Sequence, residues 1–255
     1  MGHRRFFLPA EAIDTKAATV SLTDAALVNQ LRAVLRLKAG EEILVLDGQG
    51  NLYRCLLRTL TKSAGRAEII AVERAGGDPC VEVTVALPLL KGDRFDWAIQ
   101  KLTELGAARV VPLISDRTVV KQKSAPRLAR WQAIAREAAE QCERATIPQI
   151  VVPSALSEFV TGSDTSNGPP ADIAFICAER RAAPLLRTLL HNHRIEFGQP
   201  LRVRALIGPE GGFSEREVES AVAAGFVPVS LGERILRSET AALYALAVVV
   251  SELEE

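Results

Sequence analysis

Cysteine is scarce in this chain. Cys55, Cys80, Cys142 and Cys177 are far apart and form no C-x-x-C pair. They read as buried thiols of a reducing cytosol. Histidine is scarcer, with three residues, and His191 and His193 are the one close pair. No other His or Cys stands near them in sequence, so they read as a surface turn and no metal is expected. Met1-Gly-His-Arg-Arg5 carries charge without an apolar segment behind it, so no signal peptide is expected. The apolar run Ala241 to Val250 is ten residues long, half of the roughly 20 that a membrane span needs. It reads as a buried helix, and no membrane partner is expected. No G-x-x-x-x-G-K-[ST] string occurs, which excludes a P-loop. Gly208-Pro-Glu-Gly211 lacks the G-x-G spacing of a dinucleotide fingerprint. Excess charge of one sign is missing too. Lys plus Arg and Asp plus Glu number 31 each, so no strong global field draws nucleic acid.

The balance is uneven along the chain. Residues 1–75 hold 11 basic and 8 acidic side chains, net +3, and the remainder holds 20 and 23, net −3. A mildly basic N-terminal part fits an RNA-facing domain, although proteins without such a partner show the same imbalance. At 255 residues the chain can form one large domain or two small ones. Arg4-Arg-Phe-Phe-Leu8 is β-like. Residues 23–35 read as a helix with Thr23 as N-cap and Leu27, Val28, Leu31, Val34 and Leu35 on one side. Residues 42–47 and 51–60 make a hairpin around Gly48-Gln-Gly50, and 66–72 another strand. These mostly β elements give a domain over 1–74. Arg74-Ala-Gly-Gly-Asp-Pro79 reads as its linker to a second domain over 79–255.

The second domain alternates strands and helices, which argues for an α/β fold on a parallel sheet. Strands are expected at 81–89, 110–114, 173–177 and 203–207. Phe95, Ala98, Ile99, Leu102 and Leu105 fall at helix spacing before a Gly106 stop. The opposite face, with Asp93, Arg94, Asp96, Gln100, Lys101 and Glu104, is a solvated face or a functional surface. Arg117, Lys121, Lys123, Arg127 and Arg130 form a basic run near Trp131. Trp131 either stacks on RNA or packs in the core, where its spacing with Leu128, Ala135, Ala138 and Cys142 places it. The stretch 161–170, rich in Gly, Ser, Asn and Pro, reads as a surface loop.

The densest signal lies in the last fifty-odd residues. The apolar run Val203-Arg-Ala-Leu-Ile207 breaks into Gly208-Pro-Glu-Gly-Gly-Phe213. Ser214 with Glu217 forms a capping-box pattern. A short strand, 226–230, leads into Leu231-Gly-Glu-Arg-Ile-Leu-Arg-Ser-Glu-Thr240. Glycines at 208, 211 and 212 admit positive φ and close approach of a ligand to the main chain. Loops at the carboxyl ends of parallel strands are where α/β proteins bind ligands. The alternative is a pair of ordinary strand-to-helix turns.

The strings Ile207-Gly-Pro-Glu-Gly-Gly212 and Leu231-Gly-x-Arg-Ile-Leu-Arg-x-Glu-Thr-Ala241 resemble those of the ribosomal RNA small subunit methyltransferase E family. That family belongs to the SPOUT class of S-adenosyl-L-methionine (SAM) enzymes. Arg4-Arg-Phe-Phe, Leu31-Arg-x-Val-Leu-Arg36, Lys91-Gly-Asp-Arg94, Gln100-Lys-x-x-Glu-Leu-Gly106 and Gln141-x-x-Arg144 extend the resemblance. Two positions depart from it: Gln30 stands where many members have His, and Glu143 where they often have Gly, at a helix end expected to tolerate the change.

The resemblance implies a PUA-like, RNA-contacting β-barrel followed by a SPOUT domain whose C-terminal segment forms a trefoil knot. It implies a cytoplasmic homodimer that binds SAM at the subunit interface. The reaction implied is methylation of N3 of a uridine, position 1498 of 16S rRNA, in the small ribosomal subunit. By the same resemblance the cofactor is held by Glu179, Leu206, Ile207, Gly208, Pro209, Gly211, Gly212, Leu231, Gly232, Ile235, Leu236 and Arg237. Arg237 would stabilise charge on the uracil oxygens, or else form a capping or interface ion pair. Glu210 and Glu239 are alternative bases. Arg4, Arg5, Arg32 and Arg36 in the first domain, and Lys91, Arg94, Gln100, Lys101, Glu104, Gln141 and Arg144 in the second, would face RNA. A non-catalytic RNA-binding assembly factor is the competing reading. A nucleotide hydrolase is a weaker one, since the P-loop is missing.

Overall fold

The computed structural model describes residues 5–118, 125–162, 170–178, 183–191 and 200–254. The chain divides into two units, one of Met1–Asp78 with Ala139–Ile147, the other of Pro79–Ala138 with Pro148–Glu255.

The first unit contains β1 (Arg5–Phe7), β2 (Ile13–Asp14), β3 (Thr19–Leu22), α1 (Ala25–Asn29), β4 (Glu42–Leu46), β5 (Asn51–Leu60) and β6 (Gly65–Arg74). They form one half-barrel sheet in the order β1-β4-β5-β6-β3-β2. All its pairs are antiparallel except β1 with β4. Alternation along β5 sends Tyr53, Cys55 and Leu57 inward, against Val20, Val28, Leu31 and Ile43. At the β4–β5 turn, the Asp47 carboxylate accepts from the backbone N–H groups of Gln49 (2.8 Å) and Asn51 (3.1 Å).

The helix differs from its sequence reading. Asp24, not Thr23, caps it, accepting from Leu27 N–H at 2.7 Å. At Gln30 the α-helix widens into a π-helical turn, Gln30–Val34, with Leu35 N–H bonded to Gln30 C=O. The wider turn shifts the phase of everything after it. Leu31 is therefore buried while Val34, assigned to the inner face by 3.6-residue spacing, is 68% exposed.

The second unit contains β7 (Val81–Pro88), α2 (Arg94–Glu104), β8 (Arg109–Ile114), α3 (Ala125–Gln141, its last turn counted with the first unit), β9 (Gln149–Ile150), β10 (Ser154–Ala155) and α4 (Leu156–Thr161). It continues with β11 (Ile173–Cys177), α5 (Leu186–Leu190), β12 (Leu201–Ile207), α6 (Glu215–Ala223), β13 (Val227–Val229) and α7 (Ser238–Leu253). The sheet runs β10-β8-β7-β12-β11-β13, with β9 also on β8, and every pair is parallel. One face packs under α4 and α6; α7 covers β7 and β12 on the other, with α2 and α5 against it. After the edge strand β13 the chain returns across the strand ends to place α7 over the centre of the sheet. This return is the knot-like feature of a SPOUT-type α/β fold.

On α2 the buried stripe is Phe95, Ala98, Ile99 and Leu102, as its spacing predicts, but Leu105, assigned to the same stripe, is the C-cap residue and exposed, because the helix ends there. Gly106 ends the helix at φ +94°, and a Cβ there would fall 2.3 Å from Pro79 Cγ. Trp131 is a core residue: its ring lies 4.6 Å from that of Phe95, and its Nε1 donates to Asp96 Oδ1 at 2.9 Å. The reading of four buried thiols holds for Cys55 and Cys177 only. Cys80 is exposed and Cys142 half-buried.

Glu143 stands two residues beyond the end of α3 at φ +62°, a left-handed position that favours glycine. The position is exposed, as expected, and its φ makes the departure from Gly a matter of backbone conformation as well. Glu143→Gly should be more stable than Glu143→Ala by roughly 1 kcal/mol in chemical denaturation, since both lose the side chain and only Ala keeps the strain; equal stabilities would refute the strain.

Burial pushes the Cys55 thiol from 9.0 up to about 12. The native protein should leave Cys55 unalkylated at pH 8.5 while Cys80 reacts, read by peptide mass spectrometry. Between pH 9 and about 12 the unfolded chain loses a proton that the folded one keeps. Stability should therefore fall over that window, and less steeply in Cys55→Ala.

Candidate functional site

In a parallel sheet the carboxyl ends of all strands meet at one edge. Here the loops after β8, β11, β12 and β13 surround a cavity of about 650 Å³, within the usual range for small-molecule sites. Cys177 and Ala178 end one wall, Ile207 to Phe213 make the second, and Ser230 to Leu236 the third. Of the three glycines expected at positive φ in the second wall, Gly212 alone has it, at +68°. At Gly208 and Gly211 the constraint is space: a Cβ would meet the Phe213 ring at 3.2 Å and Arg117 Cδ at 3.4 Å, respectively. Gly232, at φ +112°, turns the third wall.

The walls are tied to one another. Ser238 Oγ, on the first residue of α7, donates to Gly208 C=O at 2.7 Å. The Ser214–Glu217 capping box forms as its spacing predicts: Glu217 Oε2 accepts from Ser214 N–H at 2.8 Å and Ser214 Oγ from Glu217 N–H at 3.3 Å. The same carboxylate reaches the loop after β8, accepting from Asp116 N–H at 2.8 Å. Ser214 Oγ donates to Asp116 Oδ2 at 2.8 Å, and Arg117 Nη1 donates to Gly211 C=O at 2.7 Å. Arg117 is thus a wall of the cavity that sequence reasoning placed only in a basic run. The strand-end rule that found the other loops applies equally to the loop after β8.

Ile207, Gly208, Pro209, Gly211, Gly212, Leu231, Gly232, Ile235 and Leu236 all line the cavity, as does Glu210. Leu206 does not: alternation turns it to the other face, fully buried beneath α4 and α6. Glu179 lies outside the described residues. Arg237 caps α7, exposed, one residue beyond the lining. Glu239 is 6% exposed and lies off the lining.

Arg94 joins the two carboxylates. Its guanidinium is hydrogen-bonded to Glu210 and lies 3.7 Å from Glu239 Oε1. The hydrogen bond from Arg94, its charge, and the further charges of Arg237 and Lys91 hold the Glu210 carboxyl below its ordinary range; slight burial opposes them. Glu239 Oε2 is buried and has no hydrogen-bond partner among the described residues.

The residues expected to face RNA divide sharply. Arg144 is 3% exposed, with Nε bonded to Asp78 Oδ1 at 2.7 Å. Arg5 donates to Glu143 C=O at 2.9 Å and pairs with its carboxylate at 3.0 Å. Both are structural, because each satisfies an acceptor beside it in the first unit. Lys101 pairs with Glu104 on its own helix at 2.8 Å. Arg32, Arg36, Lys91, Gln100 and Gln141 are exposed, and Arg4 lies outside the described residues. Among the described residues no three or more His, Cys, Asp or Glu are grouped to hold a metal, and no helix is long and apolar enough to cross a membrane.

The donor set suits SAM. Apolar Ile207, Leu231, Ile235 and Leu236 can flank a flat heterocycle, and the glycine backbones leave main-chain groups open to its edge. Comparisons with known proteins agree. An RNA methyltransferase domain model matches residues 77–250, and an RNA methyltransferase PUA domain model residues 24–70. The ribosomal RNA small subunit methyltransferase E of Synechocystis is 38% identical over all of this chain and 79% of its own length. That of Bacillus subtilis is 30% identical over 94% of this chain and 92% of its own. The Neisseria gonorrhoeae enzyme of the same name, solved bound to S-adenosyl methionine, superposes with TM-score 0.82 at 33% identity, covering 99% of this chain and 98% of that one. A Legionella pneumophila methyltransferase, also solved with SAM, gives 0.83 at 28% identity over 98% of each. The glycine loops, the parallel sheet behind them and these full-length likenesses agree on one conclusion: the chain belongs to the ribosomal RNA small subunit methyltransferase E family.

Proposed function

We propose that the protein methylates N3 of a uridine in 16S rRNA, using SAM. The observation that carries this reading is the cavity at the carboxyl edge, walled by two glycine loops whose residues match the family's strings. When bound, SAM supplies an electrophilic methyl group on a positively charged sulfur. Everything else must come from the chain. Uracil N3 carries a proton at neutral pH; that proton passes to solvent water, the negative charge spreads over the ring oxygens, and the freed lone pair can take the methyl group as the methyl–sulfur bond breaks. Arg237 and the N-terminal end of α7 present positive charge just beyond Leu236, and they favour that anion over the neutral ring. Glu210 is a poor proton acceptor because Arg94 and Arg237 stabilise its charged form. We assign it, with Glu239, to fixing Arg94 between the glycine loop and α7. The exposed Arg32 and Arg36 of the first unit are assigned to RNA phosphates.

We also propose a homodimer. Ala242, Ala245, Leu246 and Val249 of α7 are buried within the chain, whereas Leu243, Ala247, Val248 and Val250 are only half-buried and Tyr244 is 45% exposed. A helix apolar all round needs cover on this second side as well. Trp97 of α2, the helix packed against α7, is likewise 45% exposed. Ala245, fully buried, cannot report on association, since a charge there would unfold the chain.

Three outcomes are expected. Gly212→Val should abolish SAM binding in calorimetry, because a β-branched residue resists φ +68° and fills ligand space; wild-type affinity in the folded variant would refute the cavity. Arg237→Ala should lower kcat/KM for rRNA roughly 10²- to 10³-fold with SAM affinity unchanged, and Arg237→Lys should recover part of it; full activity in the Ala variant would remove Arg237 from the chemistry. Tyr244→Glu should shift a sedimenting dimer toward monomer while keeping the fold. A wild type that is monomeric at micromolar concentration and still methylates rRNA would end the dimer reading.

A further inference from the structure

Two exposed arginines of β5, Arg54 and Arg58, are paired with Glu73 and Glu68 of β6. The segment that follows α1 in the same unit is built differently. Arg32, Arg36 and Lys38 stand within seven residues, and no acidic residue lies between Asp24 and Glu41. Those two carboxylates are turned to the backbone, accepting from the N–H groups of Leu27 and Lys38. Among the described residues the side chains of Arg32, Arg36 and Lys38 have no hydrogen-bond or ion-pair partner. Two departures of the backbone shape the segment. The π-helical turn Gln30–Val34 carries Val34 outward, to 68% exposure. Arg36 then takes φ +55°, the left-handed conformation in which helices usually end on glycine. Over it, Leu37 N–H reaches back to Leu31 C=O at 2.9 Å, and both leucines enter the core. A glycine at 36 would close the same turn without the strain. Wide helical turns and side chains held at positive φ gather at functional sites. Here they leave one apolar side chain in solvent, two residues from an unpaired arginine on either side.

We propose that Arg32, Val34 and Arg36 form a contact for an unpaired stretch of the RNA substrate, in which Val34 covers the face of one unstacked base and the arginines pair with phosphates beside it. The proposal rests on the RNA-methyltransferase reading above and says which form of RNA the two arginines receive. Cations without local counterions, on a segment that carries no carboxylate, favour a polyanion. Charge alone does not separate duplex from single strand, because both present phosphates. Val34 does. In an RNA helix the base faces are stacked on one another, and the surface within reach offers hydroxyls and phosphates. An isopropyl group gains nothing there. In a loop the base faces are open to water, and an apolar side chain gains by covering one. The cost of the segment points the same way. A C-terminal turn whose only task was to end the helix would be better served by glycine at 36, and an apolar residue at 34 would be better buried.

The test uses the full chain and two RNAs of equal length, a 16S rRNA fragment with an unpaired loop and a perfect duplex. Chemical denaturation reports the folding of each variant. Val34→Ser should bind the looped RNA about fivefold more weakly and the duplex as the wild type does. Its slope of log affinity against log salt should not change, since no charge is lost. Arg32→Gln should reduce that slope by about one. Arg36→Gly separates function from folding by sign: its denaturation midpoint should rise as the strain is removed, while its affinity for the looped RNA falls about tenfold. Arg36→Lys, which keeps charge and strain, should recover most of that affinity at the wild-type midpoint. A Val34→Ser variant that binds the looped RNA as tightly as the wild type, or that weakens loop and duplex alike, would overturn the base contact. Undiminished RNA affinity in Arg36→Gly would overturn the part given to the arginine. Weaker binding of Val34→Ser to the assembled small subunit, with full affinity for the bare fragment, would give the segment to a ribosomal protein and overturn the assignment to RNA. Methyl transfer to the fragment by the wild type, measured in parallel, tests the parent reading separately.

Discussion

The parallel pairing of β11 with β12 and β13 is the constraint on which the candidate site depends. Parallel strands cannot be joined by tight turns, so each must be followed by a loop that leaves the same edge of the sheet. Three such loops therefore arrive side by side without any side chain directing them there. The edge also strands the last N–H and C=O groups of each strand, and buried backbone groups must find partners. Ser238 Oγ answers one of them at Gly208 C=O, and Arg117 another at Gly211 C=O. The hydrogen bonds that close the cavity are those that any such edge requires. What is particular to this chain is that small residues at 208, 211, 212 and 232 keep the enclosed space open.

Glu217 shows how local and long-range structure meet. As a capping-box residue its task is to satisfy the first turn of α6. Its second oxygen reaches Asp116 in a loop 101 residues earlier, so one carboxylate fixes both the start of a helix and the position of a cavity wall. Arg94 does the same with charge, joining the glycine loop to the first turn of α7 through Glu210 and Glu239. The loops at this edge are thus held by networks and not by single contacts, and changes at one wall should be felt at the next.

The fold was legible in sequence wherever periodicity is a local property. The stripe of α2, the β4–β5 hairpin and the core place of Trp131 all follow from spacing. The helix after Thr19–Leu22 defeats the same reasoning, because a single wide turn at Gln30 re-phases Val34 and periodicity cannot announce it. The site was legible to the extent that glycine and strand ends mark it. Leu206 was misplaced because a loop string was read without the two-residue alternation of the strand that feeds it. Arg117 was passed over because the strand-end rule was not carried to the loop after β8; its bond to Gly211 C=O is the part that only tertiary structure gives.

Charge was the least legible signal, and for a physical reason. An arginine in sequence carries no mark of whether its fork is already filled. Arg5 and Arg144 match family strings as well as Arg32 and Arg36 do, yet the first pair satisfies a backbone carbonyl, Glu143 and Asp78. The second pair stands in solvent. A different oversight arises at Arg204, which passes unnoticed inside an apolar run because its neighbours Val203, Ala205 and Leu206 define the strand. Its side chain is only half-buried, although its neighbours bury completely. Register puts Thr84 and Arg109 in its row, and Glu82, two residues back from Thr84 on β7, acts on Arg109 by its charge. Such a break in the pattern of a covered sheet shows only when register sets the strands side by side, because a row across the sheet takes one residue from each strand.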